Sequence, residues 1–275
     1  MINHYNFKNQ RLSFDIPKIM GIVNVTPDSF SDGGKYFSVN DAVDHGLKLI
    51  DEGASIIDIG GESTRPGSDP VLEDEELRRT IPVIKKLTQL RKDAIISIDT
   101  TKSEVARQAL NSGAQIINDI SGLTFDNGMI DVAKQYDAGV VIMHIQGNPK
   151  TMQQNPFYKD VIKEVYDYLS VQITKTKENN VNKLFVDPGI GFGKRIEDNF
   201  TLIKNLEKFQ SLGYPVLIGL SKKSFIGKIL GIEADEREVG TVILETISVL
   251  KSARIIRTHN VKYCMQMVKL VSHIL

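Results

Sequence analysis

The chain has 275 residues, with 34 basic and 34 acidic side chains and a formal net charge of zero. This balance gives no electrostatic footprint for nucleic acid or for an anionic membrane, so we expect neither partner. The single cysteine, Cys264, excludes an intramolecular disulfide and fits a reducing compartment. Because Met1–Pro17 has no long apolar run, we expect no signal peptide or membrane span, and a cytoplasmic location.

A short segment precedes the regular part of the sequence. Asn6–Phe14, with Asn9 and Gln10 at its centre, predicts a small hairpin. From Lys18 onward, an apolar run, a polar tip and an amphipathic stretch alternate. Nearly continuous runs rich in Ile and Val are typical of parallel strands that are buried on both faces. The predicted strands are Ile19–Val25, Ser55–Ile59, Ala94–Ile98, Gln115–Ile120, Gly139–Met143, Lys183–Val186, Pro215–Leu220 and Ala253–Ile256.

Amphipathic segments with helical spacing follow each strand. The predicted helices are Asp41–Glu52, Glu73–Leu90, Ser103–Ser112, Met129–Tyr136, Tyr158–Glu178, Glu197–Phe209, Arg237–Lys251 and Val261–Ile274. Cys264 lies in the apolar pattern of the last helix, which indicates a buried structural thiol. Eight units in one alternation favour a closed barrel over an open doubly wound sheet. We therefore predict an α/β fold, a single (β/α)₈ TIM barrel over residues 18–275, whose N-terminal end is covered by a hairpin in residues 1–17.

Polar side chains stand where the predicted strands end. A parallel barrel brings these ends to one rim, where active sites of this fold lie. One group suits a flat heterocycle with amino, N–H and carbonyl edges, because a carboxylate can accept two N–H groups side by side; it consists of Asp99, Asn118, Asp187 and Lys223. A second group suits phosphate oxygens and Mg²⁺, because arginine binds phosphate with two N–H groups and an Asn oxygen can bind the metal; it consists of Asn24, Arg65, Arg257 and His259.

These residues also have plain structural interpretations. Asp99, which precedes Thr100 and Ser103, could cap the next helix. A histidine at a strand end is often only structural, and Lys222–Lys223 could be solvated charges. Arg257 could pair with a carboxylate such as Asp99 and only brace the rim. Fold stability alone gives no reason to gather so many polar groups at one end of a barrel, and their convergence therefore favours a ligand site.

Two long segments carry a family resemblance. Asn24–Gly34 reads NVTPDSFSDGG and Gly60–Gly67 reads GGESTRPG, and both resemble signatures of the dihydropteroate synthase family. Shorter matches follow in the same order, at Ser97–Thr100, Ile117–Asp119, Met143–His144, Asp187–Gly189 and Arg257–His259. The resemblance covers nearly the whole chain from about Lys18 onward.

This resemblance implies an enzyme of folate synthesis. It would condense 6-hydroxymethyl-7,8-dihydropterin diphosphate with 4-aminobenzoate, giving 7,8-dihydropteroate and diphosphate. The implied catalytic residues are Asp99, Lys223, Arg257 and His259. The pterin would contact Asp99, Asn118, Met143, Asp187 and Lys223. The diphosphate would contact Asn24, Arg65, Arg257 and His259, with Asn24 as the protein ligand of a Mg²⁺ cofactor.

The resemblance also implies a second substrate pocket and an assembly. The 4-aminobenzoate pocket would be bordered by Thr64, Pro66, Phe192 and Ser221, with Lys223 nearby. The segments Thr26–Tyr36 and Ser63–Ser68 would be mobile substrate loops. Members of the family are typically homodimers that are formed through barrel helices far from the mouth.

Three positions depart from the family pattern. Lys222 replaces a usual Arg, Ile190 a usual Phe, and Thr258 a usual Val. Lysine cannot make the planar two-bond contact of arginine, so the role of that Arg is not carried over to Lys222. The nearest alternative is another pterin-binding barrel, a methyltetrahydrofolate–corrinoid methyltransferase, which would not need the Asn24–Gly34 loop or the anion cluster. A catalytically inactive barrel is a further alternative, although the expected site residues are all present.

Overall fold

The computed structural model describes residues 2–8, 10–26 and 39–274. An antiparallel hairpin comes first, with β1 at His4–Phe7 and β2 at Gln10–Ser13. Eight parallel strands then close into a barrel, because the last strand pairs with the first as well as with its other neighbour. These strands are β3 Lys18–Asn24, β4 Ile56–Gly60, β5 Ile95–Asp99, β6 Ile116–Asp119, β7 Gly139–Met143, β8 Leu184–Asp187, β9 Val216–Gly219 and β10 Ala253–Thr258.

Helices connect the strands and pack outside them. They are α1 Val39–Asp51, α2 Glu73–Leu90, α3 Ser103–Asn111, α4 Met129–Gln135, α5 Val161–Glu178, α6 Ile196–Lys204, α7 Ser224–Leu230, α8 Glu238–Leu250 and α9 Val261–Val271. The predicted α/β fold, a single (β/α)₈ barrel with a short N-terminal hairpin, is thereby confirmed. None of the helices in the described part of the chain is long and apolar enough to cross a membrane.

Every predicted helix except Glu73–Leu90 differs from the observed one at one end or both. The helix predicted for Glu197–Phe209 ends at Lys204, and a separate 3₁₀ helix follows at Leu206–Leu212. The helix predicted from Tyr158 begins only at Val161, where the Asp160 side chain accepts a hydrogen bond from the Lys163 N–H at 3.0 Å and caps the first turn. The predicted strand limits differ from the observed ones by one or two residues at most of the ends.

Side chains along each barrel strand alternate between two buried surfaces, one against the helices and one inside the barrel. In β4, Ile57 and Ile59 pack against the helices, whereas Ile56 packs inside the barrel. Since side chains alternate along a strand, Asp58 also points into the barrel. The same alternation sends Ile255 and Arg257 of β10 inward and Ile256 outward. The polar residues near the strand ends therefore lie above an apolar barrel interior.

The hairpin closes the opposite end of the barrel. Tyr5 and Phe14 make edge-to-face contacts with Phe185, which lies inside the barrel, at ring-centre distances of 5.2 and 6.0 Å. The Tyr5 hydroxyl donates to the carbonyl of Leu184 at 2.8 Å. This satisfied polar contact within an apolar cluster fixes the hairpin on the barrel. The predicted covering role of the hairpin agrees with this packing.

Candidate active site

The mouth of the barrel brings Asp58, Asp99, Asn118 and Arg257 together from four different strands. Strand pairing places Asp99 beside Asn118, and Gly60 beside Asp99. Asp58, Asp99 and Asn118 are all buried, although they are polar or charged. Burial of such groups is costly unless they are hydrogen-bonded or serve a ligand. The predicted convergence of strand-end residues is thus observed at this rim.

Arg257 lies between two carboxylates. Its Nε donates to Asp58 Oδ2 at 2.7 Å, and its Nη2 donates to Asp99 Oδ2 at 2.6 Å. The pairing with Asp99 is the contact that the structural interpretation of Arg257 requires, so in this state the arginine does brace the rim. Asp99 does not cap α3, because the N–H of Ser103 donates instead to Asp126 Oδ2 at 2.7 Å. The helix-cap interpretation of Asp99 is therefore wrong.

Burial changes the acid–base properties of both candidate acceptors. It raises the pKa of Asp99 to about 7, although the nearby Arg257 lowers it. Burial also raises the pKa of Asp187 to about 6, against the lowering effect of the Gly189 N–H, which donates to Asp187 Oδ1 at 2.7 Å. Strongly perturbed carboxyl groups in a cleft are typical of functional sites. A ligand that donates N–H groups to Asp99 and Asp187 would stabilise the ionised form of both carboxyl groups.

Lys223 faces Asp187 from the end of β9. Its ammonium lies 4.0 Å from the centre of the Phe192 ring, a cation–π contact. Burial lowers the pKa of Lys223 to about 8, while Asp187 raises it. The preceding Lys222 is exposed and adopts a positive φ of 56°. The two lysines are therefore not an equivalent pair of solvated charges. Lys223 lies against Phe192 at the mouth, whereas Lys222 is exposed to solvent.

A second cluster contains Asn24, Ser221 and His259. Asn24 Nδ2 lies 3.5 Å from His259 Nε2, and Ser221 Oγ lies 2.9 Å from His259 Nδ1. Burial lowers the pKa of His259 to about 3, and the positive charge of Arg257 adds to this effect. The imidazole is therefore neutral at pH 7. The sequence analysis placed it with the cations, but its lowered pKa makes it an uncharged hydrogen-bonding group.

The loop after β4 carries Thr64, Arg65 and Pro66. Arg65 and Pro66 are exposed, and the Arg65 charge contributes to the lowered pKa of His259 without a direct bond between them. The loop is attached at its tip, where the Gly67 N–H donates to the carbonyl of Pro149 at 3.0 Å. Of the other expected loop, Thr26–Tyr36, residues 27–36 lie outside the described part of the chain.

A partly buried charge network holds the base of the same loop. Lys102 Nζ lies 2.5 Å from Glu62 Oε2 and 2.5 Å from Glu76 Oε2. Glu76 is fully buried, and burial raises its pKa in spite of Lys102. Ion pairs with a buried partner add little net stability, because removing the charges from water costs much of what their attraction gains. The network, which was not predicted from the sequence, fixes the start of the loop that brings Arg65 toward the mouth.

Apolar side chains complete the mouth. Met143 is buried and packs in a small cluster with Ile120, Ile145 and Met152, against which Phe192 also packs. A flat heterocycle bound by the polar rim would find an apolar support in Met143. Phe192 lies at the edge of this cluster, between it and Lys223. Both residues therefore lie at the mouth of the barrel, and their contacts with a ligand stay a prediction.

A buried lysine, Lys194, lies beneath the loop after β8. Its ammonium contacts His144 Nδ1 and the carbonyl of Phe192, each at 3.0 Å. Burial lowers the pKa of Lys194 to about 7 and that of His144 to about 2. Lys194 was not among the residues predicted from the sequence. Its signal was weak, because a lysine that follows a glycine-rich loop is usually exposed.

The described residues alone offer few ligands for a metal ion. Over residues 2–8, 10–26 and 39–274, no group of three or more His, Cys, Asp or Glu side chains could hold a metal ion. Asn24 can supply one amide oxygen, because its Nδ2 is the atom that faces His259. A Mg²⁺ ion at this end would therefore need most of its oxygen ligands from a substrate or from water, as is usual for this metal.

Comparisons with known proteins point to one family. A family model described as pterin binding enzyme matches residues 20–259. The dihydropteroate synthase of Escherichia coli K12 is 45% identical over 266 residues, which cover 95% of this chain and 94% of that protein. The solved Yersinia pestis dihydropteroate synthase with a sulfonamide drug has a TM-score of 0.94 and 38% identity, with 98% of both chains covered.

A further solved structure contains 4-aminobenzoic acid. The Xanthomonas albilineans dihydropteroate synthase with 4-aminobenzoic acid has a TM-score of 0.93 and 40% identity, covering 100% of this chain and 98% of that one. The closed barrel, its polar rim and the family match together define a pterin-binding enzyme. More narrowly, the chain belongs to the dihydropteroate synthase family, whose members are transferases of folate biosynthesis.

Proposed function

We propose that the chain condenses 6-hydroxymethyl-7,8-dihydropterin diphosphate with 4-aminobenzoate, releasing diphosphate and 7,8-dihydropteroate. The observation that carries this proposal is the pair of buried carboxyl groups, Asp99 and Asp187, above the apolar barrel interior. Beside them lie Asn118, Lys223 and Met143, which suit the edges and the face of a pterin ring. The family membership supplies the reaction class.

The pterin ring would be recognised by several hydrogen-bond acceptors and one hydrogen-bond donor. Asp187 keeps Oδ1 on the Gly189 N–H, so its other oxygen is available to N–H groups of the ring. Asn118 and Asp99 would add acceptors from β6 and β5. Lys223, which is held over Phe192, would donate to a ring carbonyl or ring nitrogen. Buried polar groups with these partners discriminate strongly against rings that lack them.

The diphosphate would lie at the Asn24, Arg65, Arg257 and His259 side of the mouth. Arg65 and Arg257 would supply charge-assisted N–H donors, with His259 beside them as an uncharged polar neighbour. Mg²⁺, with Asn24 as its protein ligand, would neutralise charge on the departing diphosphate. The phosphate oxygens would provide ligands that the described protein residues do not.

The chemistry would be a substitution at the exocyclic methylene of the pterin. The bond from this carbon to the diphosphate oxygen breaks, and the amine nitrogen of 4-aminobenzoate forms the new bond and loses a proton. A largely dissociative path would make the methylene cationic, and the carboxylates of Asp99 and Asp187 lie in the mouth to stabilise that charge. Positioned charges of this kind act without a covalent enzyme intermediate.

The amine substrate would enter beside Thr64, Pro66, Phe192 and Ser221. Phe192 and Ser221 lie on loops after β8 and β9 whose contacts are already formed. Thr64 and Pro66 lie on the more exposed loop after β4. We expect the diphosphate to order that loop through Arg65, so 4-aminobenzoate would bind second. An arylsulfonamide with a 4-amino group would compete for the same pocket.

The assembly would be a cytoplasmic homodimer. The outer face of α8 exposes Val239, Ile243, Ile247 and Leu250, which recur at helical spacing and form one apolar stripe. Ile229 and Leu230 at the end of α7 are also exposed. A contiguous exposed apolar stripe of this kind is typical of a protein interface, and it lies on the helices rather than at the mouth. Sedimentation of the chain would show a dimer, and Ile243→Glu would shift it to monomer.

Product analysis tests the proposed reaction. Incubation with both substrates and Mg²⁺ should form 7,8-dihydropteroate, identified by its mass. Omission of 4-aminobenzoate should abolish this product. Formation of no dihydropteroate by a folded, pterin-binding protein would contradict the proposal.

A further inference from the structure

Asp58 is a fully buried carboxylate that was not among the predicted site residues. Its Oδ2 accepts two hydrogen bonds, one from Arg257 Nε at 2.7 Å and one from Asn118 Nδ2 at 2.9 Å. Its Oδ1 is buried and has no partner in the described part of the chain. A single carboxylate oxygen therefore joins one residue of the expected pterin group to one residue of the expected diphosphate group.

The contact with Asp58 fixes which way the Asn118 amide faces. If the amide were reversed, its oxygen would lie 2.9 Å from a carboxylate oxygen, and two acceptors would repel each other. The NH₂ group must therefore face Asp58. Asn118 Oδ1 is left without a hydrogen bond among the described residues, so it is free to accept an N–H from a ligand.

The same oxygen also sets the plane of the Arg257 guanidinium. Nε bonds to Asp58 and Nη2 bonds to Asp99, so two of the three guanidinium nitrogens are held from two strands. Nη1 has no such bond among the described residues. The fixed plane therefore decides where the remaining N–H groups of Arg257 are directed.

We propose that Asp58 is a positioning residue that orients Asn118 and Arg257 together, so that Asn118 presents an acceptor to the pterin and Arg257 presents donors to the diphosphate. The identity of the two ligands rests on the proposed function. Asp58 itself touches neither ligand. Its position inside the barrel, two residues before the strand end, places it below the two side chains that it orients.

Asp58→Asn separates this role from a general need for a buried polar group. An amide oxygen in the place of Oδ2 is uncharged, so it holds both donors more weakly than the carboxylate does. We expect the affinity for 6-hydroxymethylpterin and the affinity for diphosphate with Mg²⁺ to fall together. The product of the two fold-losses should be roughly tenfold or greater. Calorimetric titration of each ligand by itself measures both effects.

Exchanging the two groups gives a sharper test. In Asp58→Asn combined with Asn118→Asp, the amide introduced in β4 can donate to the carboxylate introduced in β6, whose second oxygen again faces the pterin. The double variant should therefore recover pterin affinity relative to both single variants. Diphosphate affinity should stay low, because the introduced NH₂ group cannot accept the hydrogen bond that Arg257 Nε donates. A purely structural role predicts that both affinities recover together with the melting temperature.

Ser97→Ala is the matched control. Ser97 pairs with Asp58 across β4 and β5, is fully buried, and has an Oγ without a partner in the described part of the chain. Its removal should leave both affinities near wild type. Unchanged affinities in folded Asp58→Asn would overturn the proposal, as would equal losses in Ser97→Ala.

A measurement on the wild-type chain covers the case in which Asp58→Asn does not fold. The Asn118 side-chain NH₂, held on the Asp58 carboxylate, should then show slow hydrogen exchange, and fast exchange overturns the proposal. Failure of the wild-type chain to bind pterin would instead contradict the proposed function.

Discussion

Arg257 Nη2 donates to Asp99 Oδ2 at 2.6 Å, and this bond crosses the barrel mouth between β10 and β5. It pairs a residue expected to bind the leaving group with one expected to bind the pterin. The pairing allows two different roles for Arg257. It could serve only as a brace, or it could be a phosphate ligand that is held ready by the carboxylates.

Arg257→Ala should separate these two roles. If Arg257 binds diphosphate, the variant should lose roughly 100- to 1000-fold in kcat/KM and should bind diphosphate weakly. Its affinity for a pterin without diphosphate should stay nearly intact. Titration with both ligands measures this difference. Arg254→Ala, on the same strand near its other end, is the control and should keep full activity. Parallel loss of both affinities and of Tm would show that Arg257 is only a brace.

The pterin group should behave as a set of separate hydrogen-bond partners. Asp187→Ala and Asn118→Ala should each weaken pterin binding by about 1–3 kcal/mol, because a ring edge loses its buried partner. Circular dichroism should stay near that of wild type. Calorimetry with 6-hydroxymethylpterin measures the effect, and unchanged affinity in both variants would remove these residues from the site.

Asp187 should make the free enzyme less stable as the pH rises. Burial raises its pKa from 3.8 to about 6 in the folded state, so the folded chain holds this proton more tightly than the unfolded chain does. The stability that this group contributes is present below pH 3.8 and is lost as the pH rises through about 6. Asp187→Asn cannot ionise, so its Tm should exceed that of wild type at about pH 8 and approach it at about pH 5. Equal Tm differences at both pH values would contradict this assignment.

The loop over residues 63–68 should become ordered when diphosphate binds. The exposed side chain of Arg65 has no partner in the described part of the chain, apart from its charge effect on His259. Hydrogen exchange at 63–68 should be fast in the free enzyme and slow with the pterin diphosphate and Mg²⁺. 4-Aminobenzoate should then bind only to the slow-exchanging form. Tight binding of 4-aminobenzoate to the free chain would contradict this order.

The fold could be predicted because its signals are local. Helix α2 was predicted with its observed limits, Glu73–Leu90, since its apolar positions recur over many turns. Helix α7 was missed because Ser224–Leu230 is short, contains Gly227, and follows two lysines that resemble a loop. The hairpin was predicted over Asn6–Phe14 with Asn9 and Gln10 at its centre, but Gln10 pairs with Phe7, so the observed hairpin begins earlier, at His4.

The site could be predicted only in part, because contacts between strands are not local. Asp99, Asn118, Asp187 and Arg257 each stand at the end of an apolar run, where a barrel places its active site. Asp58 stands inside its run, and only the strand alternation and the pairing with Arg257 show that it faces the mouth. The neutral state of His259 likewise depends on burial and on the charge of Arg257, which no sequence spacing reveals.

Diphosphate release tests the central claim most directly. It should be measured with the pterin diphosphate, 4-aminobenzoate and Mg²⁺ together, and again with each one omitted in turn. We predict that release requires the amine and equals the amount of 7,8-dihydropteroate formed, because the amine replaces the leaving group at the methylene carbon. Release at the same rate without 4-aminobenzoate, or no release with all components present, would contradict a dihydropteroate synthase reaction at this site.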